Sequence, residues 1–338
     1  MAYTTIDNPE LYFQCKKWAG NNSGSGQAIT LDGDEDMQPD LVWIKSRAGG
    51  DVSNHRFYDS VRGATKELYS DLNDAEGTNA NGLTTFGTDG FTVGSAGGVN
   101  DSSTTYVAWC WKESATAGFD ILKYEGNATN RTISHSLSAV PHWIIIKNLE
   151  STSSSAEHWL VYHKGIGNTH GLLLNQTDAK SDDATYFQDT DPTSSVFSIG
   201  TADRCNKNNE DNIAYLWSEK QGFSKFGTYT GNGNADGPFV YTGFRPAFLM
   251  TKRTSSSSTG WVLMDNKRET FNDGATNYLI ANTDVAETDS SFAVDFLSNG
   301  FKPRTNSGGT NTSSATYIYM AFAEAPFVNS NGVPCNAR

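Results

Sequence analysis

Apolar residues fall in short aromatic or β-branched runs separated by polar turns, the punctuation of an all-β chain, and within a run successive side chains point to opposite faces. The clearest stretch lies near the end: Ile318, Met320 and Phe322 fall on one face, and Tyr317, Tyr319, Ala321 and Ala323 on the other. Tyr106-Val107-Ala108-Trp109-Cys110-Trp111 and Ile213-Ala214-Tyr215-Leu216-Trp217 are its counterparts upstream. Both faces of these strands are apolar or aromatic, which predicts central strands covered on both sides. A second apolar run follows a proline and ends in a lysine at constant spacing: Pro39 to Lys45, Pro141 to Lys147 and Pro246 to Lys252. Each lysine is expected to mark the strand's exit to solvent. Further strands are predicted over Arg56-Phe57-Tyr58-Asp59, Trp159-Leu160-Val161-Tyr162-His163 and Trp261-Val262-Leu263-Met264-Asp265. Others end at Asn73, Asn175 and Asn282 or approach the turns before Phe91 and Phe301, whereas Phe197 lacks the preceding glycine. Ala64-Thr65-Lys66-Glu67-Leu68 is the one stretch expected to make a helical turn.

These anchors recur in one order roughly 105 residues apart, the mark of a tandem array. Each copy opens on an aromatic-x-Gly-Asn run (Trp18 to Asn21, Tyr124 to Asn127, Tyr229 to Asn232) and closes on an aromatic just before a glutamate, Glu113, Glu219 or Glu324. The expected organisation is a leader over 1–12, β-sandwich repeats over 13–114, 115–221 and 222–326, and an irregular tail over 327–338. The predicted fold is therefore all-β: three tandem sandwiches of the jelly-roll or lectin-like kind, each with about six or more strands and its own core. A single three-bladed assembly is the alternative. The joint Ser114-Ala115-Thr116-Ala117-Gly118 looks small and flexible, and Lys220-Gln221-Gly222 is so short that the second and third copies should pack as one unit.

Composition narrows the function. The 338 residues are 37% hydrophobic but only 19% charged, with a net charge of −13. No basic patch is visible, so nucleic acid is not an expected partner. No apolar run approaches the ~20 residues of a membrane helix, and the opening is polar, so neither membrane insertion nor a cleaved export signal is expected. The cysteines Cys15, Cys110, Cys205 and Cys335 have no metal-ligand spacing and are expected to be free thiols; Cys15 and Cys110 lie on strands that could neighbour each other, which leaves a bridge between them open.

Several constellations carry residue types suited to chemistry. Asp59 with Arg62 and Asp265 with Arg268 suit a ligand clamp or, better, a structural bridge. His158, His163 and His170 lack a carboxylate partner for a metal. The loops Asp32-Gly33-Asp34-Glu35-Asp36 and Asn206-Lys207-Asn208-Asn209-Glu210-Asp211 are acidic but lack EF-hand spacing. No nucleophile elbow, zinc-protease helix, phosphate loop or dinucleotide fingerprint occurs, and Glu113, Glu219 and Glu324 recur as structural positions do. No catalytic, cofactor-binding or metal-binding residue is assigned, and the protein is expected not to be an enzyme. Eight Trp and fourteen Tyr exceed what a few small cores need. Trp43, Trp109, Trp143 and Trp217 sit at anchor positions and read as core, whereas Tyr186 and Phe187 are freer to bind something, as rings that stack on sugars do.

Met1-Ala2-Tyr3-Thr4-Thr5-Ile6-Asp7-Asn8-Pro9, Gln38-Pro39-Asp40-Leu41-Val42-Trp43-Ile44-Lys45, Gly222-Phe223-Ser224-Lys225-Phe226-Gly227, Tyr229-Thr230-Gly231-Asn232-Gly233, Asp295-Phe296-Leu297-Ser298-Asn299-Gly300-Phe301 and Tyr317 to Pro326 carry a resemblance. Together they are similar to a family of tailed-bacteriophage proteins of the marine, cyanophage type, over essentially the whole chain. The resemblance implies a virion structural protein, a tail fibre or capsid decoration, assembled in the host cytoplasm. Its implied partners are other virion proteins and further copies of itself, a trimer among them, with a host surface glycan as the ligand under an adhesin reading; a polysaccharide depolymerase is a third reading. The resemblance carries no catalytic residues with it.

Overall fold

The doubly apolar strands lie where two layers meet. In the first copy Thr105–Trp111 is hydrogen-bonded between Phe13–Ala19 and Leu41–Ala48, and the sheet continues through Arg56–Asp59, Lys66–Tyr69 and Gly77–Thr78. The order recurs. Asp211–Trp217 lies between Phe119–Glu125 and Trp143–Asn148, followed by Leu160–His163, His170–Leu173 and Ser181–Asp182; Thr316–Pro326 lies between Ser224–Thr230 and Phe244–Arg253, followed by Val262–Asp265 and Leu279–Ile280. Every pairing is antiparallel. A smaller sheet accompanies each: Gln27–Ile29 with Gly90–Val93 and Leu83–Gly87, Arg131–Ser134 with Val196–Ile199, and Val240–Tyr241 with Gly300–Pro303 and Val294–Leu297. The protein is all-β in this computed structural model, which describes residues 3–150, 157–289 and 291–336. Met1 and Ala2 of the leader and Ala337 and Arg338 of the tail lie outside the described residues.

Alternation decides which core a residue enters. Val42, Ile44, Tyr106, Ala108 and Cys110 join the smaller sheet's residues in a core belonging to the first copy. The second and third copies have equivalents around Ile144, Ile146 and Leu216, and around Leu249, Tyr317 and Tyr319. The opposite faces, carrying Trp43, Trp109 and Trp111, Trp143, Tyr215 and Trp217, and Phe248, Met320 and Phe322, merge into one cluster drawn from all three copies. Trp111 meets Trp217 at 6.2 Å, Trp143 meets Trp261 at 6.0 Å, and Phe13 stacks on Phe322 at 4.9 Å, so each copy touches both others. The larger and smaller sheets thus enclose sandwich cores, and the opposite faces of the larger sheets meet in one shared core. That core also absorbs the apparent excess of tryptophan: seven of the eight lie in it, and Trp18 lies in the first copy's own core.

The aromatic-x-Gly-Asn opening has a steric and a hydrogen-bonding cause. Asn100, Asn206 and Asn311 are fully buried, and their Oδ1 atoms accept from the backbone N–H of Asn21, Asn127 and Asn232 at 2.8, 2.9 and 2.9 Å. The glycine before each of these residues lies flat against the backbone that carries the buried asparagine, so a β-carbon there would collide with a carbonyl.

Three local expectations change. Lys66–Tyr69 is a strand paired with Arg56–Asp59, so the helical turn expected over Ala64 to Leu68 does not form; tertiary pairing overrides the local preference. Single helical turns occur instead at Gly97–Asn100, Ala184–Phe187 and Asp203–Asn206. The first joint is a closed turn, with Ser114 and Phe119 exchanging backbone hydrogen bonds of 2.9 and 3.0 Å around Gly118 at φ 75°. The leader is part of the packed body: Ile6 is buried in the shared core, Thr4 Oγ1 donates to the Gln221 carbonyl at 2.9 Å, and Tyr3 Oη donates to that of Gly243 at 2.8 Å.

Candidate functional site

Lys45, Lys147 and Lys252 do not exit to solvent; all are fully buried. Each reaches out of its own copy into the preceding one. Lys147 Nζ donates to the Asn73 carbonyl at 3.2 Å, Lys252 Nζ to that of Thr177 at 2.9 Å, and Lys45 Nζ to that of Asp284 at 3.0 Å, which closes the ring. Each also holds a carbonyl of its own copy, Ser46, Asn148 or Arg253, at 2.9, 2.8 or 3.0 Å. Burial pushes each ammonium down to about 8. Backbone follows the same cycle: Glu76 N–H donates to Leu149, Lys180 to Thr254 and Glu287 to Arg47, at 2.9, 3.0 and 2.8 Å. The recurring lysine within an apolar run was the sequence signal, and only the neighbouring copy's carbonyls explain it.

The Asp–Arg pairs occupy the next layer. Arg62 Nε meets Asp59 Oδ2 at 2.5 Å and Arg268 Nε meets Asp265 Oδ2 at 2.5 Å, all four side chains being essentially inaccessible. The remaining capacity of each carboxylate is used by the following copy. Tyr215 Oη donates to Asp59 at 2.7 Å, and Trp109 Nε1 donates to Asp265 at 3.0 Å. In the second copy His163 stands at the carboxylate position, Ile166 replaces the arginine, and Met320 stands where its neighbours carry the donor. The charge pair and the side-chain donor from the following copy are thus both absent, and the imidazole faces the Tyr319 backbone of the third copy instead. Burial lowers the His163 imidazole to about 3, so it is neutral, and its Nδ1 accepts from the Gly165 N–H at 2.9 Å. His55, Trp159 and Trp261 are equivalent in the same way. His55 Nε2 donates to the Ile280 carbonyl at 3.0 Å, Trp159 Nε1 to Tyr69 at 2.9 Å and Trp261 Nε1 to Leu173 at 3.0 Å.

The other candidates do not converge. His163 is in the interior, His158 hydrogen-bonds Asn175 at 2.8 Å near the surface, and His170 contacts Thr169 Oγ1 at 2.7 Å. Asp32 pairs with Lys16, while Glu210 and Asp211 pair with Lys207 and Lys123 at 2.7 and 2.6 Å. Among the described residues no group of His, Cys, Asp and Glu able to hold a metal ion occurs. Glu113, Glu219 and Glu324 lie at separate joints. Glu219 binds Lys225 at 2.5 Å and Lys164 at 2.8 Å, Glu324 binds Arg245 at 3.3 Å, but Glu113 faces Asp120. Burial, then the hydrogen bond with Asp120, raises the Glu113 carboxyl to about 7. Cys15 and Cys110 are free: their strands are adjacent, but Cys15 faces the shared core and Cys110 the first copy's own core. Tyr186 and Phe187 are both buried, on the helical turn Ala184–Phe187, and of the two Tyr186 also lines a surface cavity.

Two surface concavities lie at equivalent places, just ahead of the buried Asn206 and Asn311. In the second copy a cavity of about 490 Å³ is lined by Glu157, His158, Asp183, Tyr186, Asp203 and Arg204. The third copy has one of about 330 Å³ over Gly308 and Gly309, lined by Ser258, Thr259, Tyr278, Phe292 and their neighbours. In the first copy the Arg56 guanidinium lies there, donating to the Gly98 carbonyl at 3.2 Å. Sequence reading missed this place, although the paired glycines Gly97-Gly98 and Gly308-Gly309 marked it.

A family model described as "Domain of unknown function (DUF7483)" matches residues 8–326, and the chain belongs to that family. No curated protein matches it.

Proposed function

We propose that this member of the DUF7483 family is a non-enzymatic structural protein of a bacteriophage particle, an appendage of the tail-fibre or capsid-decoration kind. The observation that carries this reading is the use made of the buried ionisable groups. Lys45, Lys147, Lys252, Asp59 and Asp265 are all spent on tying one copy to the next, where an enzyme would aim such groups at a substrate. The result is a rigid cyclic body whose outward loops differ from copy to copy, the division of labour expected of a scaffold. Its partners are other particle proteins and further copies of itself.

Mass spectrometry of purified particles tests this directly: the chain should be present at a fixed stoichiometry, and its absence would end the proposal. Cryo-electron microscopy of the intact particle then separates a decoration, regularly placed over the capsid lattice, from an appendage in few copies at the tail. A second reading, a glycan-binding adhesin, is favoured by one asymmetry. Among the described residues, the aromatic side chains standing well exposed are Phe239, Tyr241 and Phe271, all in the third copy.

A further inference from the structure

The place ahead of the buried asparagines is occupied differently in each copy, and the differences are chemical. Hydrogen bonds fix the equivalence: Tyr106 Oη donates to the Gly97 carbonyl, and Tyr317 Oη donates to that of Gly308 at 2.8 Å. In the first copy the Arg56 guanidinium covers Gly98 and lies 5.4 Å from the centre of the Tyr69 ring. In the second copy the glycines are replaced by Asp203 and Arg204, and Arg204 lies 5.1 Å from the centre of the Tyr186 ring. That cavity is charged, with Glu157 and Asp183 on its walls. In the third copy the glycines return but the covering arginine does not. The Phe292 ring packs on Gly309 and meets Tyr278 edge-on at 4.3 Å. The residues lining this cavity include no charged side chain; hydroxyls of Ser258, Thr259 and Ser307 surround it.

We propose that the third copy's cavity binds a neutral pyranose unit of a glycan; this deepens the adhesin reading by giving it a site and a ligand class. An aromatic wall beside hydroxyls suits a ligand that is apolar on its ring C–H faces and polar around its edge. Glycine at position 308 leaves its backbone open to close approach by a ligand, while Gly309 gives the Phe292 ring room to lie flat as the wall. The walls offer no charge to pair with a uronate or sialate, whose desolvation would go uncompensated. About 330 Å³ is at the small end of the roughly 300–1,000 Å³ of ligand clefts, which limits the buried part to one or two sugar rings.

The test uses the full chain on a glycan array carrying neutral oligosaccharides beside uronate- and sialate-bearing ones. The strongest neutral responder is then titrated by calorimetry and mapped by saturation-transfer NMR. Neutral glycans are expected to bind. Gly308→Asp installs the residue that the second copy carries at the same position, and its β-carbon would meet only the Thr259 methyl, at 3.2 Å. It should weaken that affinity by about tenfold or more while the melting temperature holds. Phe292→Leu keeps an apolar contact on Gly309, removes the aromatic wall and should give the same loss, whereas Asp203→Gly in the second copy should change nothing. Silence from every neutral glycan, binding confined to charged glycans, or unaltered affinity in both third-copy variants would overturn the site. The particle reading is decided separately: a chain found in virions with a silent array loses only this site, and a sugar-binding chain absent from virions loses only the particle.

Discussion

Lys252 is a charged residue whose role is structural. Its ammonium donates to three carbonyls, of Thr177, Arg253 and Thr259, at 2.9, 3.0 and 2.9 Å, using the donor capacity of the group completely. Replacing it with methionine would leave those carbonyls dry and unpaired. Lys252→Met is expected to lower unfolding free energy at neutral pH by about 2–4 kcal/mol, measured by urea titration. The pH dependence has a definite sign. The folded-state pKa, about 8, lies below the ordinary 10.5, so the unfolded chain holds the proton more tightly. Stability from this group is complete above 10.5 and is lost as pH falls through 8. The deficit of Lys252→Met should therefore widen between pH 8 and about pH 10; a constant deficit would mean that the lysine is not buried as described. Tyr215 and Trp109 make a related point, since each supplies the third partner of a carboxylate in another copy.

At the scale of elements, the joints differ although the strands they connect are equivalent. The strand that begins the second copy brings Asp120 to Glu113, whereas the strand that begins the third brings Lys225 to Glu219. Burial first, and then the hydrogen bond with Asp120, raise the Glu113 carboxyl to about 7, above its ordinary 4.5. With the folded pKa raised, the joint's contribution is complete below about 4.5 and is lost as pH rises through 7. Asp120→Lys copies the second joint's solution and should remove this loss, so that the melting temperature of the variant exceeds the wild type's at pH 8 by more than at pH 5. Equal differences at the two pH values would refute the carboxyl pairing. The first copy's strands Phe13–Ala19 and Thr105–Trp111 illustrate alternation as a sorting device: though paired, they place Cys15 and Cys110 on opposite faces, which forbids a bridge.

For the whole molecule, the decisive feature is the common core. Each copy buries its outer face with its own smaller sheet, but its inner face is buried only by the other two. No copy can unfold without exposing tryptophans of its neighbours. Calorimetry should therefore show one transition with calorimetric and van't Hoff enthalpies agreeing, despite the tandem sequence. Three resolved transitions would show the copies to be independent sandwiches.

The sequence alone determined the all-β class, the repeat and the strands covered on both faces, because strand alternation and turn residues are local signals that survive without knowledge of partners. Pro141 through Lys147 was recognisable as a strand, and Trp143 and Trp217 as core, for that reason. What the apolar faces pack against is a non-local fact. Only the tertiary structure decided that the three inner faces meet each other, that Lys45, Lys147 and Lys252 end on the carbonyls of the preceding copy, and that His163 faces the Tyr319 backbone where Asp59 and Asp265 meet a side-chain donor. The open dish over Gly308 belongs there too: its emptiness depends on the absence of an arginine that the first copy supplies from a different strand, Arg56–Asp59, distant in sequence from the glycines it covers.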